Sequence, residues 1–218
     1  MARARDAGGR DQALACGLES VELSPPTEQK PAVAEAGPWA LELIRALPRG
    51  QQLAIAAASI VLTVLCFLRF GLSGRAVVES LFASVLVLLT AIDLDRRLIP
   101  NLIVLPTLVV VLLAQIALAP DRTLEWMIAS VCAGLFFLVP LLIYPAGMGL
   151  GDVKLAALLG AALGKAVVSA LIAGLLAAAV FGLYVLLRDG ISAGRKTAIA
   201  YAPFLAFGGL VAVFFGAR

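Results

Sequence analysis

Gly147-Met148-Gly149-Leu150-Gly151-Asp152-Val153-Lys154 places a carboxylate and an ammonium two residues apart, directly behind a glycine-rich turn, with apolar runs of membrane-spanning character on both sides. The flanking runs set the fold class. Of the 218 residues, 62% are hydrophobic and 14% charged, and the mean hydropathy is +1.03. A soluble domain is nearer half apolar and a quarter charged. The expected fold is therefore an all-α integral membrane protein, a polytopic helical bundle. Inside such a bundle a charged side chain costs roughly 2.5–3.5 kcal/mol at a helix centre, so Asp152 is a functional candidate and needs a partner.

Working outward, a helix needs about 20 residues to cross some 30 Å of hydrocarbon. From residue 51 on, the chain divides into spans at 53–68, 77–93, 102–118, 127–144, 153–163, 166–187 and 199–215. Seven is the expected number, with six and eight as bounds. The fifth is too short to cross alone and is expected to turn at Gly164-Lys165. Pro106, Pro140 and Pro203 fall within these spans, where each frees a backbone carbonyl and can kink its helix.

Residues 1–50 differ in kind. Pro25, Pro26, Pro31, Pro38 and Pro48 interrupt any helix and apolar residues are sparse, so a disordered cytoplasmic tail is expected ahead of a membrane domain over 51–218. No apolar core follows Arg3, Arg5 and Arg10, so the start does not read as a signal peptide. An amphipathic piece at 39–47 suits the membrane surface. Arg96, Arg97, Arg188, Arg195 and Lys196 fall in one set of loops, and Arg75, Arg122 and Lys165 in the other. The positive-inside rule makes the first set cytoplasmic.

Several classes of chemistry drop out. The chain has no histidine, which removes Ser-His and Cys-His nucleophile pairs and histidine-dependent zinc sites. Cys16, Cys66 and Cys132 are isolated, so no zinc knuckle, redox pair or disulfide framework is expected. No clustered basic face suits nucleic acid. No metal and no cofactor is called for.

The partner for Asp152 lies in Thr90-Ala91-Ile92-Asp93-Leu94-Asp95-Arg96-Arg97-Leu98-Ile99-Pro100-Asn101. Two crossings separate this stretch from Asp152, so Asp93 and Asp152 return to the same face. Two carboxylates in a poorly solvated site share a proton and titrate as a pair. One then takes a proton from water while the other donates to a carbonyl oxygen, which suits amide hydrolysis. Asp93 ends an apolar run and is the expected partner; Asp95, beside Arg96 and Arg97, reads as a solvated or paired loop charge. Gly149 and Gly151 lack a Cβ and allow close backbone approach, which would admit an extended substrate segment. Lys154 can bind an acidic group on a substrate, act on a neighbouring carboxylate, or snorkel to the interface. Glu79 is expected at the interface, away from the pair.

Gly149-Leu150-Gly151-Asp152-Val153-Lys154-Leu155 resembles the G-x-G-D-x-K-L motif of the type IV prepilin peptidases. The stretch from Ile92 to Asn101 is similar to their first catalytic motif, and Tyr201-Ala202-Pro203-Phe204-Leu205-Ala206-Phe207-Gly208 to their closing segment, with Ala202 where glycine is usual. The likeness covers roughly residues 55–216. It implies a bacterial inner-membrane aspartic endopeptidase, multi-pass in the lipid bilayer, that removes the basic leader from type IV prepilins or type II secretion pseudopilins at the cytoplasmic face. Asp93 and Asp152 would be catalytic, and Gly149, Gly151 and Lys154 substrate-binding. Members that also N-methylate the product often carry paired C-x-x-C zinc motifs before the core. Residues 1–50 hold one cysteine and no such pair, so peptidase activity without methyl transfer is expected. A proton-coupled transporter component, a catalytically inactive homologue and, last, a Ser-Lys hydrolase stay open as alternatives, and the motifs say nothing of oligomeric state.

Overall fold

The computed structural model describes residues 47–96, 99–143, 149–189 and 201–216. Seven α-helices run through these residues: α1 (Arg49–Phe70), α2 (Gly74–Arg96), α3 (Asn101–Leu118), α4 (Thr123–Ile143), α5 (Leu150–Leu163), α6 (Val167–Asp189) and α7 (Ala202–Phe215). Short 3-10 turns at Pro120–Arg122 and Gly164–Ala166 join α3 to α4 and α5 to α6. The tail expected over 1–50 lies outside the described residues up to position 46. So do Cys16, Met148 and Arg97, Arg195 and Lys196, on which the expected orientation leaned. Five helical stretches are long and apolar enough to cross a membrane, with Leu150–Arg188 counted as one, so the chain is an all-α polytopic membrane protein.

Local chemistry explains the helix ends. Pro48 and Pro100 stand directly before α1 and α3, where a fixed φ and a missing N–H cost the helix nothing. Ser73 Oγ accepts the Ala76 N–H at 3.3 Å and starts α2, as an N-cap serine does. Gly164 closes α5 at φ +56°, a left-handed conformation that favours glycine. A side chain there would also strike the Trp126 ring, 2.6 Å from the position of a Cβ. The expected turn of the fifth segment is thus in place.

Gly160 of α5 lies against the Ala129 carbonyl of α4, and Ser130 Oγ donates to the Ala157 carbonyl at 2.9 Å. Gly208 of α7 lies against the Ala170 carbonyl of α6. Close approach at small residues is how membrane helices gain contact, since lipid tails offer as apolar a surface as leucine does. The core forms around α5, with Leu155, Leu158, Leu159 and Leu163 all buried, joined by Leu86 and Leu89 of α2 and Leu205 of α7. A helix apolar on all sides belongs in the interior. Leu53 and Ile60 of α1, Leu142 of α4 and Val180 of α6 are exposed and form the lipid-facing surface.

Two residues differ from expectation in detail. Pro203 does not kink its helix: α7 begins at Ala202 and Pro203 falls in its first turn. Glu79, expected at the interface away from the carboxylate pair, is fully buried among protein side chains. Gln115 of α3 donates to Glu79 Oε1 at 3.4 Å and to the Ala162 carbonyl at 2.9 Å, tying α2, α3 and the end of α5 together. Nearby, Glu125 accepts Arg122 at 2.6 Å and the Lys165 N–H at 3.1 Å.

Candidate active site

Asp93 sits in the last turn of α2 and is 5% exposed. Its Oδ2 accepts the backbone N–H of Ala202 at 3.2 Å. The reason lies at the start of α7. Tyr201 gives no side-chain cap, and Pro203 has no N–H. The N–H groups of Phe204 and Leu205 bond back to the Tyr201 carbonyl, each at 3.1 Å. The N–H of Ala202 is an orphan donor of the first turn, and a carboxylate from another helix takes it.

Asp152 is the third residue of α5 and is 7% exposed. Its Oδ2 accepts the Gly149 N–H at 3.2 Å, the reach-back half of a capping box. Glycine has no side chain to return the bond. Both carboxylates therefore stand at helix N-termini, one at α7 and one at α5, where the backbone dipole favours negative charge. They lie at the same end of the bundle, near enough for their charges to interact. The topology thus brings together the two acids that the sequence pairs. Asp95 points elsewhere: it is exposed and lies 3.6 Å from Arg96.

The other expected site residues divide. Gly149 is extended, at φ −97° and ψ 153°. Among the described residues a Cβ there would meet nothing nearer than the Gly151 N at 3.8 Å and the Asp152 Oδ2 at 3.9 Å. Gly151 is helical, and a Cβ there would lie 2.7 Å from Ile99 Cβ. Lys154 donates to Asn101 Oδ1 at 2.8 Å. The glycines' freedom to take positive φ is used at neither position; among the described glycines only Gly71 and Gly164 use it.

Sequence reasoning assigned no role to Ala202, Asn101 or Ile99. Proline directly after Ala202 was a usable signal, because proline in the first turn marks a helix start with a free N–H before it. Thr90 lies one turn before Asp93, and its buried hydroxyl has no hydrogen-bond partner among the described residues. Beside this end, an apolar cleft of about 710 Å³ opens between α4 and α6, lined by Phe136, Phe137, Pro140, Ile172, Gly182 and Tyr201 among others. Tyr201 joins the cleft to Ala202 and hence to Asp93.

Comparison with known proteins places the chain among leader peptidases. The sequence pattern of the type IV leader peptidase family matches residues 80–187, a stretch that holds both carboxylates. A prepilin leader peptidase/N-methyltransferase of Pseudomonas putida is 34% identical over 154 residues, covering 68% of this chain and 53% of that protein. One from Legionella pneumophila is 32% identical over 164 residues, covering 72% and 56%. One from Bacillus subtilis is 28% identical over 150 residues, covering 68% and 60%. The chain thus spans little more than half the length of these relatives. No solved structure matches it.

Proposed function

The chain belongs to the type IV leader peptidase family, and on that premise we propose that it is an aspartic endopeptidase whose catalytic groups are Asp93 and Asp152. The single observation that carries the reading is the convergence of two buried carboxylates, from α2 and α5, at one end of a membrane bundle. Its substrates are type IV prepilins or pseudopilins, which lose a short basic leader. The cleaving end faces the cytoplasm across a bacterial inner membrane, as the loop basic residues suggest.

The chemistry needs one proton shared by the two acids. The ionised carboxylate takes a proton from water, and that water attacks the scissile carbonyl carbon. The protonated carboxylate gives its proton to the carbonyl oxygen. Collapse of the tetrahedral intermediate breaks the C–N bond: the departing amine takes up the proton held by the first carboxylate, and one hydroxyl of the gem-diol returns its proton to the second as the carbonyl re-forms. Gly149 is itself extended and carries no side chain, which leaves room for an extended segment beside Asp152. The apolar cleft past Tyr201 suits a substrate with an apolar stretch next to its cleavage point. Lys154 borders the same approach.

The test is cleavage of a co-expressed prepilin. Asp93→Asn and Asp152→Asn are each expected to abolish leader removal while the protein still inserts. Normal processing by either variant sinks the assignment. An inactive homologue is recognised by the failure of the wild-type chain to cleave any prepilin offered.

A further inference from the structure

We propose that Ile99 and Asn101, in the segment after Asp93, clasp Gly151 and Lys154, on either side of Asp152, and that this clasp positions the two carboxylates relative to each other. The inference rests on the reading of the two acids given above. It assigns the four residues to holding the geometry rather than to touching the reacting atoms.

The clasp has two points in register. Gly151 and Lys154 are three apart on a helix and share one face. Ile99 and Asn101 are two apart, across Pro100, whose backbone is extended at φ −70° and ψ 119°. Residues at that spacing on extended chain point the same way. At the first point a Cβ on residue 151 would approach Ile99 Cβ to 2.7 Å and its Cγ1 and Cδ1 to 3.2 Å. Ile99 Cβ is fixed to the backbone, and the proline after it restricts that backbone to extended conformations. Rotating a side chain therefore gives no relief. Either the start of α5, with Asp152, or the segment leading back to Asp93 must move. At the second point Lys154 Nζ donates to Asn101 Oδ1 at 2.8 Å. Glycine lets the two segments close, and the lysine–asparagine bond holds them closed.

A displacement of about 1 Å in a catalytic group can cost on the order of a hundredfold in rate. In full-length protein in detergent or proteoliposomes, with a prepilin substrate, Gly151→Ala should lower kcat by on the order of 10- to 100-fold with KM nearly unchanged. Adding Ile99→Gly should restore most of that loss, because it removes the Cβ, Cγ1 and Cδ1 that the new methyl strikes. Lys154→Ala and Asn101→Ala should each lower kcat, and the double variant should be no worse than the poorer single one, as for two halves of one contact. Thermal unfolding reads the first contact without cleavage: Gly151→Ala should lower Tm and adding Ile99→Gly should recover part of the loss. Failure of Ile99→Gly to recover either property overturns the clasp. So does a Lys154→Ala loss expressed in KM alone, which would make the lysine a substrate contact. Normal cleavage by Asp93→Asn would instead sink the peptidase reading, and the Tm rescue would still decide whether the clasp exists.

Discussion

Asp93 and Ala202, 109 positions apart, are joined by a 3.2 Å hydrogen bond in which the carboxylate caps the first turn of α7. The same oxygen atoms are thus asked to hold a helix and to do chemistry, and two substitutions separate the roles. Asp93→Asn keeps an oxygen that can accept the Ala202 N–H but cannot serve as an acid–base pair with Asp152. It is expected to be inactive with a near-normal Tm. Asp93→Ala loses the acceptor as well, and is expected to be inactive and less stable by about 1 kcal/mol, the usual worth of an N-cap. Cleavage assays paired with thermal unfolding in detergent distinguish the two. Equal Tm values for both variants would remove the capping role.

Asp95 tests whether burial or mere presence in the motif selects the working acid. It is exposed and its neighbour Arg96 is 3.6 Å away, an arrangement worth about 0–1 kcal/mol at a surface. Asp95→Asn is expected to leave cleavage within about twofold and stability within about 1 kcal/mol. A collapse of kcat on this change, with Asp93→Asn active, would transfer the role to Asp95.

Much of this architecture was legible because membrane insertion writes itself into composition. Apolar runs marked seven helices, and Gly164 marked the turn that ends α5. Parity of crossings placed Asp93 and Asp152 on one face. Partnerships across helices were not legible. Nothing in the period of α2 tells that Gln115, on another helix, reaches Glu79 and leaves it fully buried. Pro203 was read as lying inside a span because apolar residues continue on both sides of it; only the position of the first helical residue, Ala202, shows that it sits in the opening turn. The missing side chains of the motif glycines were read as room for a substrate segment, whereas at Gly151 the room is taken by Ile99.

Gln115 holds the end of the bundle remote from the carboxylates. Its Nε2 donates to Glu79 and to the Ala162 carbonyl near the end of α5. Gln115→Leu keeps the volume and removes both donors, leaving the Ala162 carbonyl unsatisfied and the buried Glu79 with one partner fewer. A buried polar group stripped of its partner costs about 1–3 kcal/mol. Tm is expected to fall accordingly, while KM and the pH dependence of the residual activity stay as in the wild type. A changed pH profile would mean that this end communicates with the carboxylates.

The pH dependence follows from the requirement for one shared proton. At low pH both carboxyl groups are protonated and neither can take a proton from water. At high pH both are ionised and neither can donate to the carbonyl oxygen. The rate is therefore expected to rise and then fall with pH, and the two limbs belong to the pair rather than to either residue. Because the two acids sit on separate helices, each with its own backbone donor, a change at one donor should move the profile as well as its height. Gly149→Pro removes the N–H that Asp152 accepts while position 149 stays extended, at φ −97°, within modest reach of the proline value near −65°. Loss of a donor to the ionised form disfavours ionisation, so at least one limb of the profile should shift to higher pH. A profile that falls in height with both limbs unmoved would show that the Gly149 N–H only anchors the helix.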